Sequence, residues 1–184
     1  MPIQHCLLTD GLFEIGTGTL LLARGRTADY LTMSMFLLDV SCFGVKDVGF
    51  RQIDRETLET FMEATPMGPV DPSYGRKLLR DLVAWARSIG FPPHRDFATA
   101  ERLFGDVRAD TCHVGFQFGS QGNPLLVSSP SESPSQLRRV LGQLQERLGI
   151  DGFDHLVPVP DAPAIDAEPP AEFVIVDDDG CETT

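Results

Sequence analysis

The sequence predicts one α+β domain, a mainly antiparallel sheet with helices packed on one face. Three observations lead there. Strand-like segments gather in two blocks, residues 19–50 and 113–129, instead of alternating with helices. The helical segments between and after these blocks carry their own start and stop residues. An acidic, proline-rich stretch after Gly152 resists folding and sets the domain apart from the end of the chain. The expected organisation is a globular body over residues 1–150 and an acidic tail over 151–184.

In chain order, the apolar run 19–24 comes after Gly16 and Gly18 and precedes a turn-prone stretch, the pattern of a strand. Residues 31–40 lack polar alternation, which suits a central strand covered on both faces. Extended character continues over 42–50, with Gly44 and Gly49 as sites for a bulge, a bend or a new strand. Asp54 can cap a helix over 55–64, where Leu58, Phe61 and Met62 recur at helical spacing and Pro66 to Pro69 end it. Asp71-Pro72 places an N-cap carboxylate before a first-turn proline and opens a long helix. Its apolar stripe, Leu78, Leu79, Leu82, Val83, Trp85, Ala86 and Ile89, runs to Gly90. A shorter helix is expected over 97–104, capped by Asp96 and stopped by Gly105. Phe116 and Phe118 alternate ahead of a polar, glycine-containing connection and Leu125-Leu126-Val127, which predicts a hairpin. Ser133-Pro134 then starts a last helix that stops at Gly149.

The net charge is -12, and its placement carries the information. Residues 151–184 hold ten acidic side chains and no Lys or Arg, whereas the first 150 residues hold 17 acidic and 15 basic ones. The body is nearly neutral and the acidity belongs to the tail. No apolar run reaches the roughly 18 residues of a membrane span, and the first residues lack a signal-peptide pattern, so a cytoplasmic protein without membrane contact is expected. The four cysteines have no paired spacing, which disfavours a disulfide framework.

Asp39, Lys46 and Asp47 are polar residues inside an apolar β region. With Asp106 they could form the site of a metal-dependent hydrolase or nuclease, the carboxylates holding a divalent cation and Lys46 stabilising developing charge. The alternative is that they shape turns and pair at the surface. Cys42, His94, Cys112 and His113 are residue types that suit zinc, although no close ligand pair joins them. Gly16-Thr17-Gly18-Thr19 precedes a strand and does not open a helix, so it reads as a turn and not as a phosphate loop. Arg76, Lys77, Arg80, Arg87, Arg138, Arg139 and Arg147 could offer a basic face to nucleic acid, but the acidic total opposes it. No cofactor motif is present.

The sharpest local signal is Phe173-Val174-Ile175-Val176, a run of high β propensity that leads into Asp177-Asp178-Asp179. Such a segment can add as a strand to a sheet edge, with the acids seeking basic residues on a protein partner, or dock on its own domain. It resembles the hydrophobic-plus-acidic peptides that bind small ubiquitin-like modifiers. The first functional expectation is therefore a non-catalytic accessory or adaptor protein.

Three longer pieces run from Leu37 to Asp47, from Trp85 to His94, and from Phe104 through Asp106 to Gly119. They resemble segments of functionally uncharacterised bacterial proteins with no assigned activity. The resemblance covers most of the body and implies no mechanism, cofactor or catalytic residue.

Overall fold

The computed structural model describes residues 1–27, 30–128 and 133–156. Its centre is a five-stranded antiparallel sheet in the order β4-β3-β2-β1-β5, formed by Ile3–Thr9 (β1), Thr17–Arg24 (β2), Leu31–Asp39 (β3), Gly44–Ile53 (β4) and Met67–Pro69 (β5). The helices are Leu12–Ile15 (α1), Arg55–Ala64 (α2), Pro72–Ser88 (α3), Phe97–Glu101 (α4) and Pro134–Leu148 (α5). A second, two-stranded sheet pairs Leu125–Val127 (β6) in parallel with Asp154–Leu156 (β7). The fold is α+β, as the grouping of strand and helix signals predicts.

The middle strand is β2, whose Leu20, Leu21, Leu22 and Ala23 are all fully buried. Strand side chains alternate between faces, so one run of four supplies two cores. Leu20 and Leu22 join Cys6, Leu8, Phe36 and Leu38 beneath Leu78, Leu79 and Leu82 of α3. Gly75 lets α3 approach closely, since a Cβ there would stand 3.1 Å from Cys6 Sγ. Leu21 and Ala23 join Leu7, Leu31, Met33 and Ile53 on the opposite face, under Leu58, Phe61 and Met62 of α2. Most helical mass covers one face, while α2 shields part of the other. At the far end of β3 that second cover stops, and Leu37 is exposed, so β3 is sealed on both faces only in its first half.

The helix signals act as their chemistry dictates. Asp54 accepts the Thr57 N–H at 2.8 Å, and Asp71 accepts the Ser73 N–H at 2.7 Å ahead of Pro72. Ser133 and Gln136 form a reciprocal capping box on α5. The expected helix over 97–104 tightens after Glu101 into a 3₁₀ turn, Arg102–Phe104, and Asp96 makes no side-chain cap bond.

Among the described residues the expected hairpin over 113–129 is reduced to a single antiparallel bridge, Ser120 with Asn123, and its arms do not pair further. Phe116 and Phe118 both turn toward the α3 core, ring centroids 6.1 Å apart, where Phe116 meets Tyr74 and Phe118 meets Trp85. Their alternation does bring both rings to one side, but the backbone of residues 113–118 pairs with no strand among the described residues. The two would-be partners bind the end of β3 and the β3–β4 turn instead. The Gly119 N–H reaches the Val40 carbonyl at 2.8 Å, and the Leu125 N–H reaches the Ser41 carbonyl at 2.8 Å. β6 then pairs with β7. Since β7 lies past residue 150, the folded body includes residues 154–156, and eight acidic residues remain in 157–184. Among the described residues no helix is long and apolar enough to cross a membrane.

Candidate functional site

The turn between β3 and β4 is built around Asp39. Its Oδ1 accepts the N–H groups of Ser41 at 3.1 Å and Cys42 at 2.8 Å, and Lys46 Nζ lies 3.9 Å from Oδ2. Beyond the turn come Gly44 and a bulge that sets Val45 and Lys46 against Leu38. Burial pushes the Asp39 carboxyl above its usual range, against the lowering effect of the Cys42 N–H, Lys46 and two further backbone N–H groups. A buried carboxylate with two backbone donors is a turn-forming device first, and its cost is testable. Asp39→Ala strands both N–H groups and is expected to lower stability by about 2–3 kcal/mol. Asp39→Asn retains an acceptor and is expected to stay within about 1 kcal/mol of the parent at neutral pH. Because the folded pKa is raised, the favourable protonated form is lost as pH rises from the unfolded value, near 3.8, through the folded one. Urea unfolding between pH 3 and pH 7 should therefore show a decline from Asp39 that Asp39→Asn removes.

Asp47 and His94 extend the cluster. Asp47 Oδ1 accepts the Val48 N–H at 2.7 Å and lies 3.8 Å from His94 Nε2. The Asp96 N–H reaches His94 Nδ1 at 3.3 Å, so Nδ1 is the accepting nitrogen and Nε2 carries the proton facing Asp47. His94 is tied to β4 by its own N–H on the Val45 carbonyl, 3.1 Å. Asp39, Lys46, Asp47 and His94 thus meet at one end of the sheet.

The other expected members do not join them. Asp106 is fully exposed and lies 3.7 Å from Arg24, at the opposite end of β2. Thr17 faces Asp39 and Arg24 is seven positions further on, a separation of about 23 Å along the strand. The Asp39, Asp47, Asp106 metal site is not assembled. Nor is the zinc set. Cys42 packs with Ala86 in the core between α3 and α5, and its thiol is pushed up to about 12 by burial and by Asp39. Cys112 acts on Tyr74 near the other end of α3, about 18 Å away by helix rise, and His113 is exposed. Among the described residues no group of three or more His, Cys, Asp or Glu could hold a metal ion. Of the basic residues, Arg76 and Arg80 hold Glu101 and Lys77 pairs with Asp81. Those cations are committed to the fold.

Two features escape a reading of the sequence. Ser128 Oγ lies 2.7 Å from His155 Nε2, the separation of a nucleophile and its base, but Ser128 is only 4 % exposed. With the Ser128 N–H on the Leu156 carbonyl at 3.0 Å, the pair fastens β7 to β6. The second is the outer edge of β4. The Val48 N–H bonds to the Asp47 side chain and not to β3, which fixes the alternation: Val48, Phe50 and Gln52 turn their backbone groups outward. The first half of this edge is blunted by the bulge, by His94 on the Val45 carbonyl and by Asp47 on the Val48 N–H. Over residues 49–53 no backbone bond from outside the sheet reaches β4 among the described residues. There Phe50 is 52 % exposed, and Arg51 and Gln52 line a 310 Å³ cleft with the exposed ring of Tyr30.

Phe173, Val174, Ile175, Val176, Asp177, Asp178 and Asp179 lie outside the described residues. No protein-family model, curated protein or solved structure matches the chain. The chemistry of these surfaces therefore rests on their own residues.

Proposed function

We propose that the protein is a non-catalytic adaptor that binds a protein partner by strand addition, with β4 as the receiving edge. The supporting observation is the contrast within β4: capped backbone groups up to Val48, then open groups beside exposed aromatic rings at residues 49–53. Unprotected edges attract other strands, and folds ordinarily block them. An incoming extended segment gains main-chain hydrogen bonds from Phe50 and Gln52, apolar contact from the Phe50 ring and an ion pair from Arg51, which has no carboxylate within 4 Å among the described residues. The matching ligand has β-branched or aromatic residues flanked by acids. The chain's own residues 173–179 have that composition, so the same chemistry serves either an external partner or the tail itself.

A display selection of random ten-residue peptides tests this, using the full-length chain with Phe173→Asp and Ile175→Asp so that its own tail does not compete. Peptides with an apolar core and acidic flanks should be enriched, and their binding should be lost in Phe50→Asp and Gln52→Pro. The proline removes an outward N–H and leaves the pairing with β3 intact. Enriched peptides that bind both β4 variants as well as the parent would overturn the proposal.

A further inference from the structure

We propose that the cleft between the β3–β4 turn, the 91–94 loop and the first turns of α5 is a binding site for a small organic anion with a flat apolar body, an aryl carboxylate or aryl phosphate. The cleft has a volume of about 380 Å³, within the range of small-molecule sites. Its apolar wall is the Phe43–Phe91 pair, edge to face with centroids 5.0 Å apart. A planar ring stacks on such a pair at little conformational cost.

Three polar groups around that wall, Lys46, Gln136 and Arg139, offer donors, whereas the His94 ring nitrogens already face Asp47 and the Asp96 N–H. Lys46 Nζ lies 5.1 Å from the Phe43 centroid, and Arg139, Gln136 and His94 complete the lining. Gln136 spends its Oε1 on the Ser133 N–H and hydroxyl, which leaves its Nε2 to donate. Among the described residues no carboxylate lines the cleft. Asp39 and Asp47 contact Lys46 and His94 from outside the lining, and Asp96 approaches the His94 Nδ1 side. Arg139 has no carboxylate within 4 Å among the described residues, and its position on the second turn of α5 is exposed. Lys46 already occupies the cation position over Phe43, so a cationic ligand would meet like charge.

The walls are held in place before any ligand arrives. The Phe91 N–H bonds to the Ala86 carbonyl at 2.8 Å, His94 is bound to Val45, and Gln143 Nε2 donates to the Gly90 carbonyl at 2.6 Å. Three elements, α3, β4 and α5, therefore fix one short loop, and a ligand need not order it.

Calorimetric titration of the full-length protein with phenyl phosphate, benzoate, inorganic phosphate and benzyl alcohol tests the assignment. Phenyl phosphate and benzoate should bind saturably and about tenfold or more tightly than either inorganic phosphate or benzyl alcohol, since each of those lacks one half of the recognition. Arg139→Gln, at an exposed helical position, should weaken phenyl phosphate about tenfold, the loss of one charge-assisted contact, with unchanged circular dichroism. Phe43→Leu should weaken both aryl ligands while leaving the response to inorganic phosphate unchanged. Absence of saturation by either aryl anion at about 10 mM, or equal affinity in the parent and Arg139→Gln, would overturn the proposal.

Discussion

Arg76→Ala is expected to lower stability by about 3 kcal/mol, the low end for breaking a buried ion pair. Arg76 is largely buried and reaches three parts of the chain. Its Nε donates to Glu101 at 2.8 Å, its Nη1 reaches the Gly105 carbonyl at 2.8 Å and also the Val107 carbonyl, and its guanidinium lies 5.9 Å from the Phe104 ring centroid. Alanine leaves Glu101, itself largely buried, with Arg80 as its remaining partner. Burial acts to raise the Glu101 pKa, but hydrogen bonds from Arg76 and Arg80 outweigh it and hold the carboxyl below its usual value. With a lowered folded pKa, Glu101 stabilises the fold above the unfolded value, near 4.5, and that contribution is lost as pH falls through the folded one. Denaturant unfolding of Arg76→Ala at pH 7 and pH 3 should show a large deficit at pH 7 that narrows in acid. Arg76→Lys should fall between, because an ammonium replaces the charge but not the fork that spans Glu101 and the two carbonyls.

Gly44→Ala is expected to cost about 3 kcal/mol or more, for two reasons that can be separated. Gly44 has φ +75°, in the left-handed region, and a Cβ there would stand 2.5 Å from the Ala86 Cβ on α3. The β3–β4 turn is pressed onto α3 at this point, so neither backbone can retreat without moving Val45 or Leu82 out of the core. Adding Ala86→Gly opens the space while leaving the φ strain and adding about 1 kcal/mol for glycine in a helix. The double variant should therefore be more stable than Gly44→Ala alone yet less stable than the parent. Equal stability of Gly44→Ala and the parent in urea would show that the turn does not meet α3 as described.

Much of this fold is legible in the sequence where a residue acts locally. Asp54, Asp71-Pro72 and Ser133-Pro134 announce helix starts because capping is a contact between residues two or three apart. β2, β3 and β4 declare themselves through apolar runs and turn glycines. β1 is harder to see, because its first half, Ile3-Gln4-His5, is half polar and its strand character depends on pairing with β2; Asp10-Gly11 is the available turn signal. β7 is hidden by composition, since Asp154-His155-Leu156 sits in an acidic stretch and becomes a strand only when β6 lies beside it. The hairpin expected over 113–129 shrinks to the Ser120–Asn123 bridge because alternation of Phe116 and Phe118 says which side takes the rings but not whether a strand lies alongside.

The same distinction governs the sites. Asp39, Lys46, Asp47 and His94 come together because the first three are close in sequence and His94 bonds to the β4 edge. Asp106, Cys112 and His113 share suitable chemistry but lie where the strand direction and the length of α3 carry them away. Phe43, Phe91 and Arg139 come from three distant segments, and only the packing of α5 against the end of α3 makes them neighbours.

Strand addition at β4 makes a residue-by-residue claim that amide hydrogen exchange reads directly. With a selected peptide bound to the full-length chain, the Phe50 and Gln52 amides should become protected, while Gly49 and Arg51, already paired with β3, should change little. Unchanged exchange at Phe50 and Gln52, or protection confined to another element, would contradict β4 as the receiving edge.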